Sequence, residues 1–300
     1  MLSLFPSLFN MFVEHNYKMS RGILQDVSNA TILFSMSKQA KIVPVCSLKG
    51  GVGKTTISIG IAKALRDKGY KVGILDLDYR TPNVPVAIDN GVAHLDHTYK
   101  GDVLIPPVIE GIRVMSMAYI WPDWKCVQVE DSDAMEDVLH LLTPGIIDWD
   151  EIDYLVLDTP PTSTGVVRVA LEAKGIVGAI VVTHSSRVSR MDAVRTIDLF
   201  AEKEVPIIGL VCNQSVSVDG ELRYDLEPAD IEHVAIEYGI PYLGSIPHSR
   251  NDLSVYFEAI ADVILANNPV TLKIKELDKE PWNKLLSLTK LLSGNKSESS

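Results

Sequence analysis

Cysteine is scarce in this chain, and its spacing excludes the commonest thiol-based sites. The sequence contains three cysteines, Cys46, Cys126 and Cys212, and no C-x-x-C pair of the kind that indicates a redox or metal motif. A reducing cytoplasm is the simplest compartment for this composition. Because Cys46 and Cys212 end apolar, strand-like runs, we expect both thiols to act as small buried hydrophobic groups.

Positive charge is also in short supply. The chain has 28 lysines and arginines against 39 aspartates and glutamates, which gives a formal net charge of −11. A broad nucleic-acid surface needs a basic stripe, and none stands out in the sequence. The composition therefore argues against nucleic acid as an extended ligand, although a small basic patch can still assemble in three dimensions.

Long apolar runs are missing as well. The apolar residues between Leu2 and Val13 form a stretch too short to span a membrane, with no initial basic cluster and no clear cleavage site. The sequence therefore predicts neither secretion nor a membrane span at this end. We expect residues 1–35 to be a poorly ordered extension, and Met36 is an alternative start of translation.

The rest of the chain has the composition of a large folded domain. An apolar fraction of 46% in 300 residues is ample for a substantial buried core. From Lys41 onward, apolar strand-like runs alternate with helical patterns, as a parallel sheet with crossover helices requires. We predict one α/β domain over residues 36–268, with a doubly wound, mostly parallel sheet flanked by helices. Residues 269–300 are expected to form an amphipathic helix and a disordered tail.

One glycine-rich stretch carries the clearest chemical signal. It follows the apolar run 42–46 and reads Lys49, Gly50, Gly51, Val52, Gly53, Lys54, Thr55, Thr56. Glycines let backbone N–H groups approach phosphate oxygens, and a helix beginning near Gly53 aims its positive dipole end at the anion. Lys54 adds a full charge, and Thr55 adds a hydroxyl ligand for Mg²⁺. The stretch predicts a cradle for a nucleoside triphosphate.

Carboxylates stand at the ends of two predicted strands. Asp76 and Asp78 end one apolar run, and strand alternation sends both to the same side, at the edge where α/β sheets bind ligands. A second continuous apolar run ends at Asp158, which suits a Walker B carboxylate that holds the hydration shell of Mg²⁺. We predict that Thr55 and, through water, Asp158 place Mg²⁺, with Asp76 as a further candidate near the metal.

These motifs resemble a known family over about residues 40–266. The usual Walker A motif has a glycine where this chain has Leu48, and the chain carries a second lysine, Lys49, instead. Lys-Gly-Gly-x-Gly-Lys-Thr-Thr resembles the deviant Walker A motif of the SIMIBI-class ATPases ParA, MinD and Mrp/ApbC. The pattern Trp-x-x-x-Asp-Tyr-Leu-Val-x-Asp-x-Pro-Pro, which contains Asp158, looks more like the Mrp/ApbC branch, whose members resemble iron–sulfur carriers.

The resemblance implies slow, Mg²⁺-dependent ATP hydrolysis by a homodimer with ATP at its interface. It implies that Lys49 reaches across the interface to the partner's phosphates and that Lys54 binds the β- and γ-phosphates. Asp78 would orient the attacking water, so Lys49, Lys54 and Asp78 are the catalytic candidates. Asn213 and Pro247 match the positions that read and cover the adenine.

One departure from the Mrp/ApbC pattern concerns the cargo. Proteins of that branch commonly carry a C-x-x-C after the asparagine, where paired subunits share an iron–sulfur cluster, but residues 214–240 contain no cysteine. Thiolate ligation at that place is chemically impossible, so we do not expect a cluster held in the usual way. A role in iron–sulfur or other metal-cofactor assembly stays open.

The same resemblance leaves two other cellular functions open. A ParA-type protein would position DNA or another cargo, and Arg187 and Arg190 are the basic residues in the matching region. A MinD-type protein would bind a membrane surface peripherally, for which residues 281–300 have the size and pattern. A helix packed on its own domain would show the same apolar stripe, and we favour that interpretation of the tail. The aromatic loop with Trp121 and Trp124 suits either a contact with an unidentified protein partner or a lid on its own domain.

Overall fold

The computed structural model describes residues 40–78, 81–88, 98–100, 103–119, 147–149, 151–161, 165–217, 228–249 and 252–272. Three features named above lie outside these residues: the extension 1–35, the aromatic loop with Trp121 and Trp124, and the tail 281–300. Cys126 also lies outside them.

Strands and helices alternate through most of the described chain. The strands are β1 (Lys41–Cys46), β2 (Val72–Asp76), β3 (Thr98–Lys100), β4 (Val103–Ile105), β5 (Val108–Ile109), β6 (Ile112–Met115), β7 (Tyr154–Asp158), β8 (Ala179–Thr183), β9 (Ile207–Ser217) and β10 (Tyr242–His248). The helices are α1 (Lys54–Asp67), α2 (Val84–Ile88), α3 (Gly165–Ala170), α4 (Arg187–Glu202), α5 (Pro228–Tyr238) and α6 (Ser254–Ala266), with a 3₁₀ turn over Met117–Tyr119.

The main sheet has the strand order β10-β9-β8-β1-β7-β2-β6-β5. Its neighbours pair in parallel except β5, which runs antiparallel to β6, and β3 and β4 form a separate antiparallel pair. Strands β2, β5, β6 and β7 lie on one side of β1, and β8, β9 and β10, which follow them in the chain, lie on the other, so the winding direction reverses at β1. Ligands bind at such a reversal in α/β sheets, beyond the carboxyl ends of the strands. This architecture confirms the predicted fold class.

Both faces of the sheet are covered, which explains the unbroken apolar runs in the sequence. Every residue of β2, β7 and β8 is buried, and in β1 only Lys41 is exposed. Helices α1 and α6 pack together on one face, where a Cβ at Gly60 would lie 2.4 Å from the ring of Phe257. Cys46 and Cys212 are buried, as predicted for small hydrophobic groups.

Pro44 interrupts the sheet on one side of β1 only. Ile42 donates its backbone N–H to Gly175 at 2.8 Å on the β8 side, and Pro44, two residues later, faces the same way without an N–H. Regular pairing with β8 begins at Val45, whereas pairing with β7 is continuous. The ladder bond that Pro44 cannot make is therefore one between β1 and β8.

Candidate functional site

The glycine-rich loop connects β1 to α1 at the reversal of the sheet. Gly51 and Gly53 adopt positive φ angles of 74° and 87°, and Gly53 is the N-cap of α1. The first N–H groups of α1 therefore open onto the crevice beyond β1, where the helix terminus would stabilise an anion. A Cβ at Gly50 would meet the Cβ of Pro161 at 3.6 Å, so the loop also lies against the segment that follows β7.

Asn213 supports this loop from β9. Its side chain is buried, and its Nδ2 donates to the backbone oxygen of Val52 at 2.8 Å. Ile246 of β10 pairs with Asn213, so Pro247 lies beside the same place at the rim of the sheet. Asn213 thus contacts the loop backbone, a role that its predicted contact with adenine did not include.

Gly53→Ala is expected to weaken ATP binding by at least about tenfold. A Cβ at Gly53 would lie 2.2 Å from Nδ2 of Asn213, so the loop and the Asn213 side chain would have to move apart. Gly69→Ala is the matched control, because Gly69 has a similar φ of 91° but no atom within 4 Å of the added Cβ. Both variants take on the strain of a left-handed backbone, about 1 kcal/mol, and only Gly53→Ala disturbs the loop. Equal ATP affinities by calorimetry would contradict this account.

Lys54 is a buried cation at the start of α1. Its side chain is 7% exposed, and its Nζ donates to the backbone oxygen of Lys49 at 3.2 Å. Burial lowers the pKa of Lys54, and the charge of Asp158 opposes that shift. An ammonium that is poorly solvated in this way gains strongly from a phosphate brought into the crevice.

Asp158 ends β7 and accepts hydrogen bonds from two hydroxyls of α1. Thr55 Oγ1 donates to Oδ2 at 2.7 Å, and Ser58 Oγ donates to Oδ1 at 3.0 Å. Burial raises the pKa of Asp158 to about 6, against the two hydrogen bonds and the charge of Lys54. Carboxylate and hydroxyl oxygens beside a phosphate cradle form a donor set that suits Mg²⁺. Ser58 was not predicted, although it follows Thr55 by one helical turn.

Asp158→Asn is expected to stabilise the nucleotide-free protein while removing Mg²⁺-dependent ATP binding. The folded pKa of about 6 exceeds the ordinary value of 3.8, so folding takes up a proton between these pH values. The carboxylate therefore costs stability as pH rises through this window, by about 3 kcal/mol above it, and an amide carries no such cost. Denaturant unfolding should show this gain at about pH 8 and its loss at about pH 4. Asp67→Asn, at the exposed end of α1, should change stability at neither pH; a destabilised Asp158→Asn protein would contradict the assignment.

Asp76 and Asp78 differ in their surroundings. Asp76 is buried and accepts from Ser116 Oγ at 2.9 Å, from the N–H of Asp78 at 3.1 Å and from the N–H of Val84 at 3.2 Å. It thereby ties the end of β2 to α2 and to the end of β6. Burial, and then the charge of Asp158, raise the pKa of Asp76.

Asp78 is only partly buried, and both of its oxygens accept from Thr81. The distances are 3.1 Å from the backbone N–H and 3.0 Å from the side-chain hydroxyl. Its negative charge raises the pKa of Asp158 and opposes the lowering of the pKa of Lys54. Asp78 therefore faces the same crevice as the phosphate loop.

The remaining predicted residues lie around this crevice or on its outer side. Lys49 is turned towards α4, where its Nζ donates to Ser189 Oγ at 2.8 Å. Thr56 is exposed on α1, and Val52 is fully buried. Arg187 is exposed, whereas Arg190 forms an ion pair with Glu237 at 3.6 Å.

Metal-binding clusters and membrane-spanning helices are both absent from the described part of the chain. The described residues contain no cluster of three or more histidine, cysteine or acidic side chains that could hold a metal ion. No helix among them has the length and apolar character needed to cross a membrane.

Comparison with known proteins places this arrangement in a family. A sequence profile described as "ParA: NUBPL iron-transfer P-loop NTPase" matches residues 38–276. The chain is 34% identical to the iron-sulfur cluster carrier protein of Methanocaldococcus jannaschii, over 73% of this chain and 76% of the relative. It is 31% identical to the protein of the same name from Rickettsia felis, over 75% of this chain and 71% of the relative.

Solved structures show the same fold. An ADP-bound nucleotide-binding protein from Archaeoglobus fulgidus aligns with a TM-score of 0.55 and 24% identity, over 75% of this chain and 88% of that one. The cell division ATPase MinD of Pyrococcus furiosus aligns with a TM-score of 0.56 and 20% identity, over 76% of this chain and all of that one. With the profile and the relatives, they confirm the resemblance drawn from the sequence: the chain belongs to the NUBPL/Mrp branch of the ParA/MinD P-loop NTPases.

Proposed function

We propose that this protein binds and slowly hydrolyses ATP with Mg²⁺ and acts as a nucleotide-controlled homodimeric switch. The observation that carries the proposal is the 2.7 Å hydrogen bond from Thr55 to Asp158, because it joins the phosphate loop to the end of β7. In P-loop enzymes these two oxygens flank the metal that accompanies the triphosphate. The catalytic domain is proposed to cover residues 36–268.

The chain's own residues divide the work of binding the triphosphate. The N–H groups of residues 50–53 and the ammonium of Lys54 receive the β- and γ-phosphate oxygens at the start of α1. Thr55 directly and Asp158 through water would hold Mg²⁺, which when bound neutralises phosphate charge. Ser58 fixes the second oxygen of Asp158, at 3.0 Å, so that the carboxylate keeps one orientation.

The remaining roles are to orient the attacking water, to bind the adenine of ATP and to contact the partner subunit. Asp78 is the partly exposed carboxylate at the crevice, and we assign it to orienting the attacking water. Asn213 uses one N–H on Val52, and its amide retains a second N–H and a carbonyl oxygen for pairing with adenine, which Pro247 covers. Lys49 would cross the dimer interface and offset charge in the transition state.

The cellular role that we propose is assembly of an iron–sulfur or other metal cofactor. Support comes from relatives called iron-sulfur cluster carrier proteins and from a family described as iron-transfer NTPases. A cluster held by a C-x-x-C is not available, since residues 214–240 lack cysteine. Burial also raises the pKa of Cys46 to about 12 and raises the pKa of Cys212, so neither thiol readily becomes a ligand. We infer that the cytoplasmic ATPase acts on this cargo together with an unidentified protein partner.

Sedimentation with ATP tests the proposed switch and its rivals together. We expect the protein alone to double in mass with Mg²⁺ and ATP but not with ADP, and to stay in solution beside DNA or anionic liposomes. A monomer under all conditions would contradict the switch. ATP-dependent sedimentation with DNA, lost in Arg187→Ala, would favour a partitioning ATPase. ATP-dependent sedimentation with liposomes, lost when residues 281–300 are removed, would favour a membrane-positioning ATPase.

A further inference from the structure

The ammonium of Lys49 is bound within its own subunit. Its Nζ donates to Ser189 Oγ at 2.8 Å, and Ser189 is 1% exposed in the first turn of α4. Ser186 Oγ donates to the same Ser189 oxygen at 2.9 Å, and His184 Nδ1 lies 3.2 Å from it. A hydroxyl has two lone pairs and one proton, so Lys49, Ser186 and His184 together complete the hydrogen bonding of Ser189.

The pocket for Lys49 is held in place by its surroundings. Ser186 is the N-cap of α4 and accepts from the backbone N–H of Ser189, while Thr183 Oγ1 donates to the backbone oxygen of Ser189 at 2.9 Å. Burial and the charge of Lys49 lower the pKa of His184, which favours the neutral ring, whose unprotonated nitrogen can accept a hydrogen bond from the Ser189 hydroxyl.

A second contact ties the same helix to the start of the phosphate loop. Two helical turns along α4, Thr196 Oγ1 accepts from the backbone N–H of Leu48 at 3.3 Å, and Thr196 is 1% exposed. Ser189 and Thr196 therefore lie on one buried polar stripe of α4 that faces residues 48 and 49. The position of Lys49 is set by α4 rather than by the loop alone.

This contact competes with the role proposed for Lys49. An ammonium that binds Ser189 in its own subunit is not at the phosphates of another subunit. We propose that Ser189, together with Ser186 and His184, is a positioning residue that holds Lys49 within the nucleotide-free subunit, and that ATP-dependent dimerisation requires Lys49 to leave this pocket. The inference rests on the proposed dimeric switch and adds the contact that opposes it.

The contact has a measurable consequence for dimerisation. A hydrogen bond of this kind shifts an equilibrium by roughly threefold to tenfold, and each dimer releases two of them. Ser189→Ala should therefore lower the dimer dissociation constant with ATP by roughly ten- to hundredfold, as measured by sedimentation with a non-hydrolysable ATP analogue. Arg195→Ala, on the exposed side of α4, is the control and should leave the constant unchanged. If the alanine variant does not fold, Ser189→Cys keeps the volume with a weak acceptor and should shift it in the same direction.

A double-mutant cycle in the nucleotide-free protein tests the contact without dimerisation. Lys49→Ala and Ser189→Ala should each lower stability, and the double variant should lose less than the sum of the two. Additive losses, or an unchanged dissociation constant in Ser189→Ala while the wild type dimerises with ATP, would overturn this inference and leave the switch standing. A wild type that never dimerises with ATP would overturn the switch, and the inference with it.

Discussion

Lys54→Ala is expected to lower kcat/KM for ATP by about a thousandfold and to abolish tight ATP binding. Lys54 is the buried ammonium at the start of α1, and no other lysine nitrogen donates to the loop's backbone in the described residues. Removing one charged donor from developing phosphate charge costs roughly 10²–10³ in rate, and the loss of ground-state binding adds to it. The measurement is steady-state phosphate release together with calorimetric binding of ATP.

Lys63→Ala provides the matched control for Lys54→Ala. Lys63 belongs to the same helix, but its Nζ pairs with Glu110 at 2.8 Å, away from the crevice. The control should keep wild-type turnover. If Lys54→Ala kept turnover within about threefold of the wild type, the assignment of the cradle would be rejected.

Lys49→Ala is expected to separate binding from hydrolysis. In the single subunit its Nζ contacts Ser189 on α4, so removing the side chain should change the dissociation constant for ATP by less than about threefold. A cation supplied across an interface to a transferring phosphoryl group is worth roughly 10³ or more, so turnover should fall by about that factor. The variant should also fail to dimerise with ATP. A parallel loss of ATP affinity and turnover would show instead that Lys49 acts within its own subunit.

The nucleotide-free crevice contains charges that are poorly solvated. Burial lowers the pKa of Lys54 and raises the pKa of Asp76 and of Asp158, so each group is displaced towards its neutral form. A bound triphosphate would place negative charge beside Lys54, and its metal ion would place positive charge near Asp158. We therefore expect ATP with Mg²⁺ to stabilise the protein more than ATP alone, which follows from binding to the folded state only.

The sequence was informative where a local pattern dictates backbone geometry. Unbroken apolar runs at β2, β7 and β8 predicted buried parallel strands, and the glycines before Lys54 predicted a loop that opens onto a helix. The acidic end of the apolar run at Asp158 predicted its meeting with Thr55, because the carboxyl ends of neighbouring parallel strands share one edge of the sheet. The strands and the loop were predictable because each depends on residues close together in the chain. The contact of Thr55 with Asp158, between residues 103 positions apart, was predictable only from the general geometry of a parallel sheet.

Contacts between distant segments were not predictable in the same way. Asp76 was expected near the metal, yet its hydrogen bonds go to Ser116 and to the backbone of Val84, which reach it only after β6 and α2 have packed. Asn213 was expected to contact the adenine of ATP, and its contact with Val52 depends on how β9 lies beside the loop. Ser189 carried no sequence signal, because a buried serine becomes a partner for Lys49 only through the placement of α4.

The position of Lys49 in the ATP-bound state tests the central claim most directly. A crystal structure with Mg²⁺ and a non-hydrolysable ATP analogue should contain two subunits, with each Lys49 Nζ about 3 Å from a phosphate oxygen held by the other subunit. Ser189 Oγ should then have lost its contact with that ammonium. An analogue bound to a single subunit whose Lys49 still contacts Ser189, or faces solvent, would contradict the dimeric switch.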